Sequence, residues 1–93
     1  MAHDYSKIRD MLEAQESFPI DYIHKVIGRN TTAFLSSLDR LEAQIPAVRR
    51  QTVRPSASNV HLSVTFVLRA ENAGEVIALL QATEKLDDLV IVL

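Results

Sequence analysis

The chain contains no cysteine among its 93 residues. A disulfide framework, a thiolate metal site and a cysteine nucleophile are therefore excluded, and with them zinc ribbons and CxxC metallochaperones. Long hydrophobic runs are also absent, because the longest aliphatic stretches are VIALL and LVIVL, which are too short to span a bilayer. The start, MAHDYSKIRDML, alternates charges without an apolar core. We therefore expect no signal peptide, no membrane partner and a cytoplasmic protein of bacterial type.

Charged residues are distributed unevenly, although the net charge is only −2. Residues 1–46 carry five Lys/Arg and seven Asp/Glu, whereas residues 47–70 carry four arginines and no acid. Residues 71–93 carry one lysine and five acids. The near-neutral total thus combines a basic middle with an acidic end, a pattern that bears on partners and association rather than on fold.

The first half of the chain alternates between helical and strand patterns. Residues 5–15 place Ile8 and Leu12 on one stripe of a short amphipathic helix. Residues 18–27 have bulky side chains at every second position and apolar side chains on both faces, which is typical of a central strand. A helix ending before Pro46 follows, with its apolar stripe at Phe34, Leu38, Leu41 and Ile45.

The clearest pattern is strict alternation over residues 60–69. Its apolar positions are Val60, Leu62, Val64, Phe66 and Leu68. Five apolar positions at period two predict a half-buried strand that anchors the core. A short, irregular basic strand is expected before it, around Val48 and Val53, with a turn at RPSASN.

A second helix-strand pair ends the chain. Asn72 and Glu75 resemble a capping box at a helix start. The expected apolar stripe of this helix is Val76, Ile77 and Leu80, with Leu79 at its flank. The terminal LVIVL predicts a last strand.

These elements predict an α+β fold with the ferredoxin-like βαββαβ order, preceded by a short N-terminal helix. Its four-stranded antiparallel sheet has the order 4-1-3-2, with two helices on one face. We expect residues 1–16 to be a helical extension and residues 17–93 to be one domain. The first and third strands, which have the best patterns, are then central, and the basic second strand lies at an edge.

Three segments together resemble the YbeD-like family of small bacterial proteins of unknown function. They are FPIDYIHKVIGRNTTAF, VRPSASNVHLSVTFVLRA and the terminal LVIVL, and the resemblance spans residues 18–93. It implies a ferredoxin-like fold similar to ACT domains, which are regulatory modules of amino-acid metabolic enzymes. The chain departs from the family at the hairpin, where Ser58 and Asn59 replace the usual Lys-Gly. Because Asn tolerates left-handed backbone geometry, we expect the turn to be kept.

The turn after the first strand, at Gly28, Arg29 and Asn30, is the candidate ligand site. ACT domains bind amino acids at this turn, and backbone amides at a helix start attract anions. The structural interpretation is that Gly28 adopts a conformation other residues avoid, while Asn30 or Thr31 caps the helix. An acylphosphatase-like hydrolase using Arg29 and Asn59 is an alternative function.

A protein interface is the second candidate site. Ile23, Ile27 and Val67 make the uncovered sheet face more apolar than solvation requires, and Arg49 and Arg50 lie on the basic strand beside it. RNA binding is a further alternative, but the outward positions of the third strand carry no aromatic residue, so no nucleic acid is expected. We expect no metal site from His24 and His61, no cofactor and no catalytic residue.

The sequence therefore predicts a non-catalytic regulatory or adaptor module. It would bind a protein partner or a second copy of itself, with a small metabolite as a further candidate ligand.

Overall fold

A computed structural model describes residues 4–93 of the chain. These residues form three helices and four strands in the order α-β-α-β-β-α-β. The helices are α1 (Ser6–Gln15), α2 (Thr32–Gln44) and α3 (Ala73–Glu84). The strands are β1 (Ile20–Arg29), β2 (Val48–Pro55), β3 (His61–Ala70) and β4 (Leu89–Val92). Each expected element is present, and β1 begins and ends two residues later than the predicted 18–27.

The four strands form one antiparallel sheet in the order β2-β3-β1-β4. This is the predicted order counted from the opposite edge. β1 and β3 pair without interruption over their full length, from Ile20 opposite Ala70 to Arg29 opposite His61. The two best sequence patterns therefore form the centre of the sheet.

One face of the sheet is covered by α2 and α3. The inward residues of β3 are at most 6% exposed and form a single cluster with side chains of both helices. Its members include Leu62, Val64, Phe66 and Leu68 of β3, Phe34, Leu38 and Leu41 of α2, and Val76 and Leu79 of α3. Alternation along β3 is confirmed except at Val60, which precedes the strand and is 52% exposed.

The turn before β3 explains the position of Val60. Asn59 has a positive φ of 61°, as its tolerance of left-handed geometry predicted, and its amide donates to the Ser56 carbonyl at 2.9 Å. The Val60 carbonyl accepts a hydrogen bond from the Asn30 amide at 2.9 Å, so Val60 bonds to the β1–α2 turn. The hairpin turn is kept, and the strand begins one residue later than predicted.

The orientation of α3 differs from the prediction. Leu79 is fully buried in the core, whereas Leu80 is half-buried beside Ile8, Leu12 and Tyr22. Val76 and Ile77 are buried as predicted, but the relative burial of Leu79 and Leu80 was predicted wrongly, because α3 has two covered sides: one packs on the sheet and the other contacts α1. Tyr5, just before α1, also donates a hydrogen bond to the Glu84 carboxylate at the end of α3.

The cap of α3 and the irregularity of β2 are as the sequence predicts. The Asn72 side chain accepts a hydrogen bond from the Glu75 amide at 3.1 Å, and the Glu75 carboxylate reaches back to the Glu71 amide. In β2, the pairing register with β3 shifts between Arg50 and Thr52, which is a β-bulge.

Candidate functional site

Gly28 lies at the end of β1, buried against the ring of Phe34 at the start of α2. A Cβ atom at Gly28 would lie 2.3 Å from Phe34 Cε1, closer than real Cβ atoms approach. Neither glycine in the chain has a positive φ. The expectation that Gly28 adopts a conformation other residues avoid is therefore wrong; the glycine is required by the close approach of an aromatic ring.

The side chains of Asn30 and Thr31 connect the β1–α2 turn to two other turns by hydrogen bonds. Asn30 Nδ2 donates to the Asn59 carbonyl at 3.0 Å, so Asn30 joins the β2–β3 hairpin rather than capping α2. Thr31 is the cap: its Oγ1 accepts from the Phe34 amide at 3.1 Å and donates to Asp88 Oδ2 at 2.6 Å. The β1–α2 turn is thus held between two other loops.

Asp88 places a carboxylate at the N-terminal end of α2. Its carbonyl also accepts from the Arg29 amide at 2.9 Å, and its φ is 57°. A negative group is favoured at this end of a helix because of the free amides and the helix dipole. The chain's own carboxylate therefore lies at the turn where an anionic ligand was expected.

Of the three predicted ligand residues, Gly28, Arg29 and Asn30, only Arg29 has a side chain that residues 4–93 leave free to contact a ligand. The Arg29 side chain is exposed and makes no hydrogen bond or ion pair with residues 4–93. Gly28 is covered by Phe34, and the amide nitrogen of the Asn30 side chain is already bonded to Asn59. The structure brings Asn59 to the same corner through that bond.

Thr31→Ala should lower the free energy of unfolding by about 1–2 kcal/mol, because it removes both the cap and the bond to Asp88. Thr32→Ala is the matched control, since Thr32 is exposed and no side-chain hydrogen bond holds it within the described chain. Its effect should stay within about 0.5 kcal/mol. Urea denaturation of both variants measures the difference, and equal losses would contradict the cap assignment.

We call the side of the sheet that faces away from α2 and α3 the open face. Three of the predicted interface residues lie on one row across it: Ile23 of β1 pairs with Val67 of β3, which pairs with Arg49 of β2. Ile27 lies on the same face two pairs further along, opposite Ser63. Ile23 is 58% exposed although it lies on a central strand.

Arg50 lies on the other side of the sheet. It pairs with the fully buried Phe66, and its guanidinium bonds to the carboxylates of Glu42 and Asp39 on α2. Burial disfavours its charge, but these two carboxylates outweigh burial and raise the pKa of Arg50. Arg50 therefore joins β2 to α2 and does not share a surface with Arg49.

The open face is strongly basic, which the sequence interpretation missed. It carries five cations and one carboxylate: Lys25, Arg29, Arg49, Arg54 and Arg69 against Asp21. Of these, Asp21 and Arg69 contact each other at 3.3 Å, while the other four cations have no side-chain partner in residues 4–93. Subtracting this face (+4) from the chain total (−2) leaves −6 on the rest of the molecule.

The open face has a surface depression at its centre. An open depression of about 530 Å³ lies between Ile23 and Lys25 of β1 and Thr52 and Arg54 of β2. Thr65 of β3 forms its floor and is only 7% exposed. The depression lies between an arginine-bearing strand and an isoleucine-bearing strand.

The apolar side of this face continues onto β4. Ile91 pairs with Ile27 and is 48% exposed, and Val90 beside it is 52% exposed. β2 at the other edge carries arginines, a bulge and Pro55, which are the usual protections of an edge strand. The β4 sequence LVIV has no charged residue and no proline, and its protections are its four-residue length and a register shift against β1 between Ile27 and Gly28. This apolar edge adjoins the isoleucines of the open face.

Comparison with known protein families gives one match. The family described as "Protein of unknown function (DUF493)" matches residues 13–93. The chain belongs to this family. The resemblance to YbeD-like proteins is thereby confirmed. No curated protein and no solved structure gives a significant match to this member of the family.

Two further observations concern metals and membranes. Within residues 4–93, no three His, Cys, Asp or Glu side chains are arranged to hold a metal ion. His24 and His61 lie five positions apart in the β1–β3 ladder and on opposite faces of the sheet. In the part of the chain that the structure describes, no helix is long and apolar enough to cross a bilayer.

His24 lies beneath the helices and is 4% exposed, more deeply buried than expected. Thr83 Oγ1 already donates to the Leu80 carbonyl at 2.9 Å, so it accepts from His24 Nε2 at 3.2 Å. Tyr22 stacks beside the imidazole, with ring centroids 6.2 Å apart. Burial lowers the pKa of His24, so the neutral ring is the form that fits the folded protein.

The free energy of unfolding should therefore decrease as the pH falls below about 6.5, the ordinary His pKa. The unfolded chain binds the proton more readily than the folded chain, so stability is complete above that pH and is lost towards the lowered folded-state pKa. Urea denaturation at several pH values between 7.5 and 5 gives the slope of the free energy of unfolding against pH, and His24→Gln should remove the part of that slope that His24 contributes. His61→Gln is the control and should keep it; an unchanged slope in His24→Gln would contradict the assignment.

Proposed function

We propose that this protein is a non-catalytic regulatory or adaptor module, cytoplasmic and of the ferredoxin-like, ACT-like type. It binds a protein partner through the open face of its sheet. The observation that carries the proposal is the exposure of Ile23 and Ile91 on the face that also carries Arg49 and Arg54, whose side chains have no partner within residues 4–93.

Exposed apolar side chains on a small domain favour an interface when they are contiguous. Ile27 lies between the other two isoleucines of this face: it is four residues from Ile23, with Lys25 between them, and it is directly opposite Ile91. Arginine is enriched at protein interfaces, and Arg49 and Arg54 lie on the same face as these aliphatic side chains. The adjoining edge of β4 extends this surface.

The chain's three lysines allow a direct test. Lys25 lies on the open face, whereas Lys7 lies on α1 and Lys85 follows α3 on the helix side. The full chain is incubated in native lysate of its source organism, treated with an amine-reactive cross-linker, and analysed by mass spectrometry. We expect partner cross-links at Lys25 and few at Lys7 or Lys85. Cross-links confined to Lys7 and Lys85 would overturn the proposal.

A small anionic metabolite at the β1–α2 turn is a second candidate, and the partner-free side chain of Arg29 favours it. The carboxylate of Asp88 at the same corner opposes it, and it also opposes an acyl-phosphate substrate held by Arg29 and Asn59. Native mass spectrometry of the protein purified from its source organism tests this. A co-purifying metabolite that is lost in Arg29→Ala but kept in Arg40→Ala supports the site.

A further inference from the structure

The charge of the open face restricts its partner. The face carries +4, whereas the rest of the molecule carries −6. Two copies stacked through their open faces would place +4 against +4, which is unfavourable. A copy offering its acidic helix side would bind head to tail, and such contacts form rings or open filaments rather than closed pairs. A second copy of this chain is therefore a poor occupant of the face.

The apolar part of the face is aliphatic rather than aromatic. Ile23 and Ile91 are exposed there and Ile27 and Val67 are half-buried, while Phe34 and Phe66 are fully buried on the helix side. Single-stranded RNA is bound on open sheets by stacking its bases on aromatic rings. Isoleucines offer no such surface but do pack against aliphatic side chains, so the face favours polypeptide over nucleic acid.

The arginines of β2 and the isoleucines of β1 and β4 are separated by β3, although β1 also carries Lys25 and Arg29 on this face. Arginines occupy β2, with Arg49 and Arg54 on the open face, and isoleucines occupy β1 and β4. The depression between β2 and β1 spans two strand spacings, roughly 10 Å. That width fits one helix or one extended segment rather than the surface of a folded domain.

We infer that the open face binds a single acidic segment of another protein. Its carboxylates lie along β2, on Arg49 and Arg54, and its aliphatic side chains lie along β1, on Ile23 and Ile27. This inference rests on the proposed function and adds the chemistry of the partner. Charge attraction selects the segment and sets its direction, while the isoleucines exclude water from the contact.

Selection from a random twelve-residue peptide library displayed on phage, against the full chain, tests the inference. The expected consensus is acidic with interspersed Leu, Ile or Val. The best peptide is then synthesised and titrated against two double variants that change charge equally. Arg49→Glu/Arg54→Glu should weaken binding about tenfold, and raised salt should weaken wild-type binding. Lys7→Glu/Lys85→Glu, on the helix side, should change it less than about twofold.

Three results would overturn the inference: a neutral or basic consensus, no enrichment, or equal loss in the two double variants. A twelve-nucleotide poly-U RNA that binds more tightly than the best peptide, and loses binding in Arg49→Glu/Arg54→Glu, would also overturn it. If partner cross-links at Lys25 persist while the library shows no acidic preference, the proposed function stands and only the partner's chemistry is wrong.

Discussion

Gly28→Ala should destabilise the protein by about 1–3 kcal/mol, although its backbone conformation suits alanine. The added methyl group would lie 2.3–2.5 Å from three ring atoms of Phe34. Phe34 is fully buried in the core, so its ring cannot move aside without displacing other side chains. Urea denaturation of the single variant measures the loss.

A double-mutant cycle shows whether the loss comes from this contact. Phe34→Leu alone leaves a cavity and costs stability, but it also makes room for the methyl group at position 28. The double variant Gly28→Ala/Phe34→Leu should therefore lose less than the sum of the two single losses. Strictly additive losses would show that the glycine is needed for another reason.

Leu79→Ala should lower the free energy of unfolding by about 2–5 kcal/mol, since Leu79 is fully buried between α3 and the sheet. Native proteins are stable by only about 5–15 kcal/mol, so this loss is a large fraction of the total. Thermal and urea denaturation measure it.

Leu80→Ala is the control for this prediction, because Leu80 is adjacent, has the same side chain and is half-buried beside α1. Its loss should be about 1 kcal/mol. The opposite ranking of the two variants would mean that α3 is rotated, with Leu80 facing the sheet as its sequence pattern indicated. That result would contradict the described core.

The strands could be predicted because burial imposes a period that the sequence shows directly. In β3, Leu62, Val64, Phe66 and Leu68 must alternate if one face is covered. The pattern of α3 was less informative because Leu79 and Leu80 are both partly or fully covered, one by the sheet and the other by α1. A helix that contacts neighbours on two sides has no single apolar stripe to read.

Arg49 and Arg50 are consecutive, so strand alternation places them on opposite faces, and the bulge in β2 obscured which of the two arginines faces the helices. Val48 and Val53 are an odd number of residues apart, so an unbroken strand would place them on opposite faces. The extra residue at Gln51 puts both on the helix side, and Arg50, two residues after Val48, lies there too. Val48 carried this signal, since it is 5% exposed and lies two residues before Arg50, whereas Val53 is 40% exposed.

The candidate site was predictable in part. Ile23, Ile27 and Val67 follow from alternation within single strands, and the structure places them on one face. The cations beside them come from three strands, so their convergence depends on pairing registers that no local pattern contains. The role of Asp88 at the start of α2 was hidden for the same reason, because 57 residues separate it from Thr31.

The affinity of the cross-linked partner for two matched variants tests the central claim most directly. Ile23 and Met11 are each 58% exposed, Ile23 on the open face and Met11 on α1. Calorimetric titration should show about a tenfold weaker complex for Ile23→Ser and near wild-type binding for Met11→Ser, with both variants equally stable when free. Unchanged binding by Ile23→Ser, or an equal loss in Met11→Ser, would contradict an interface on the open face.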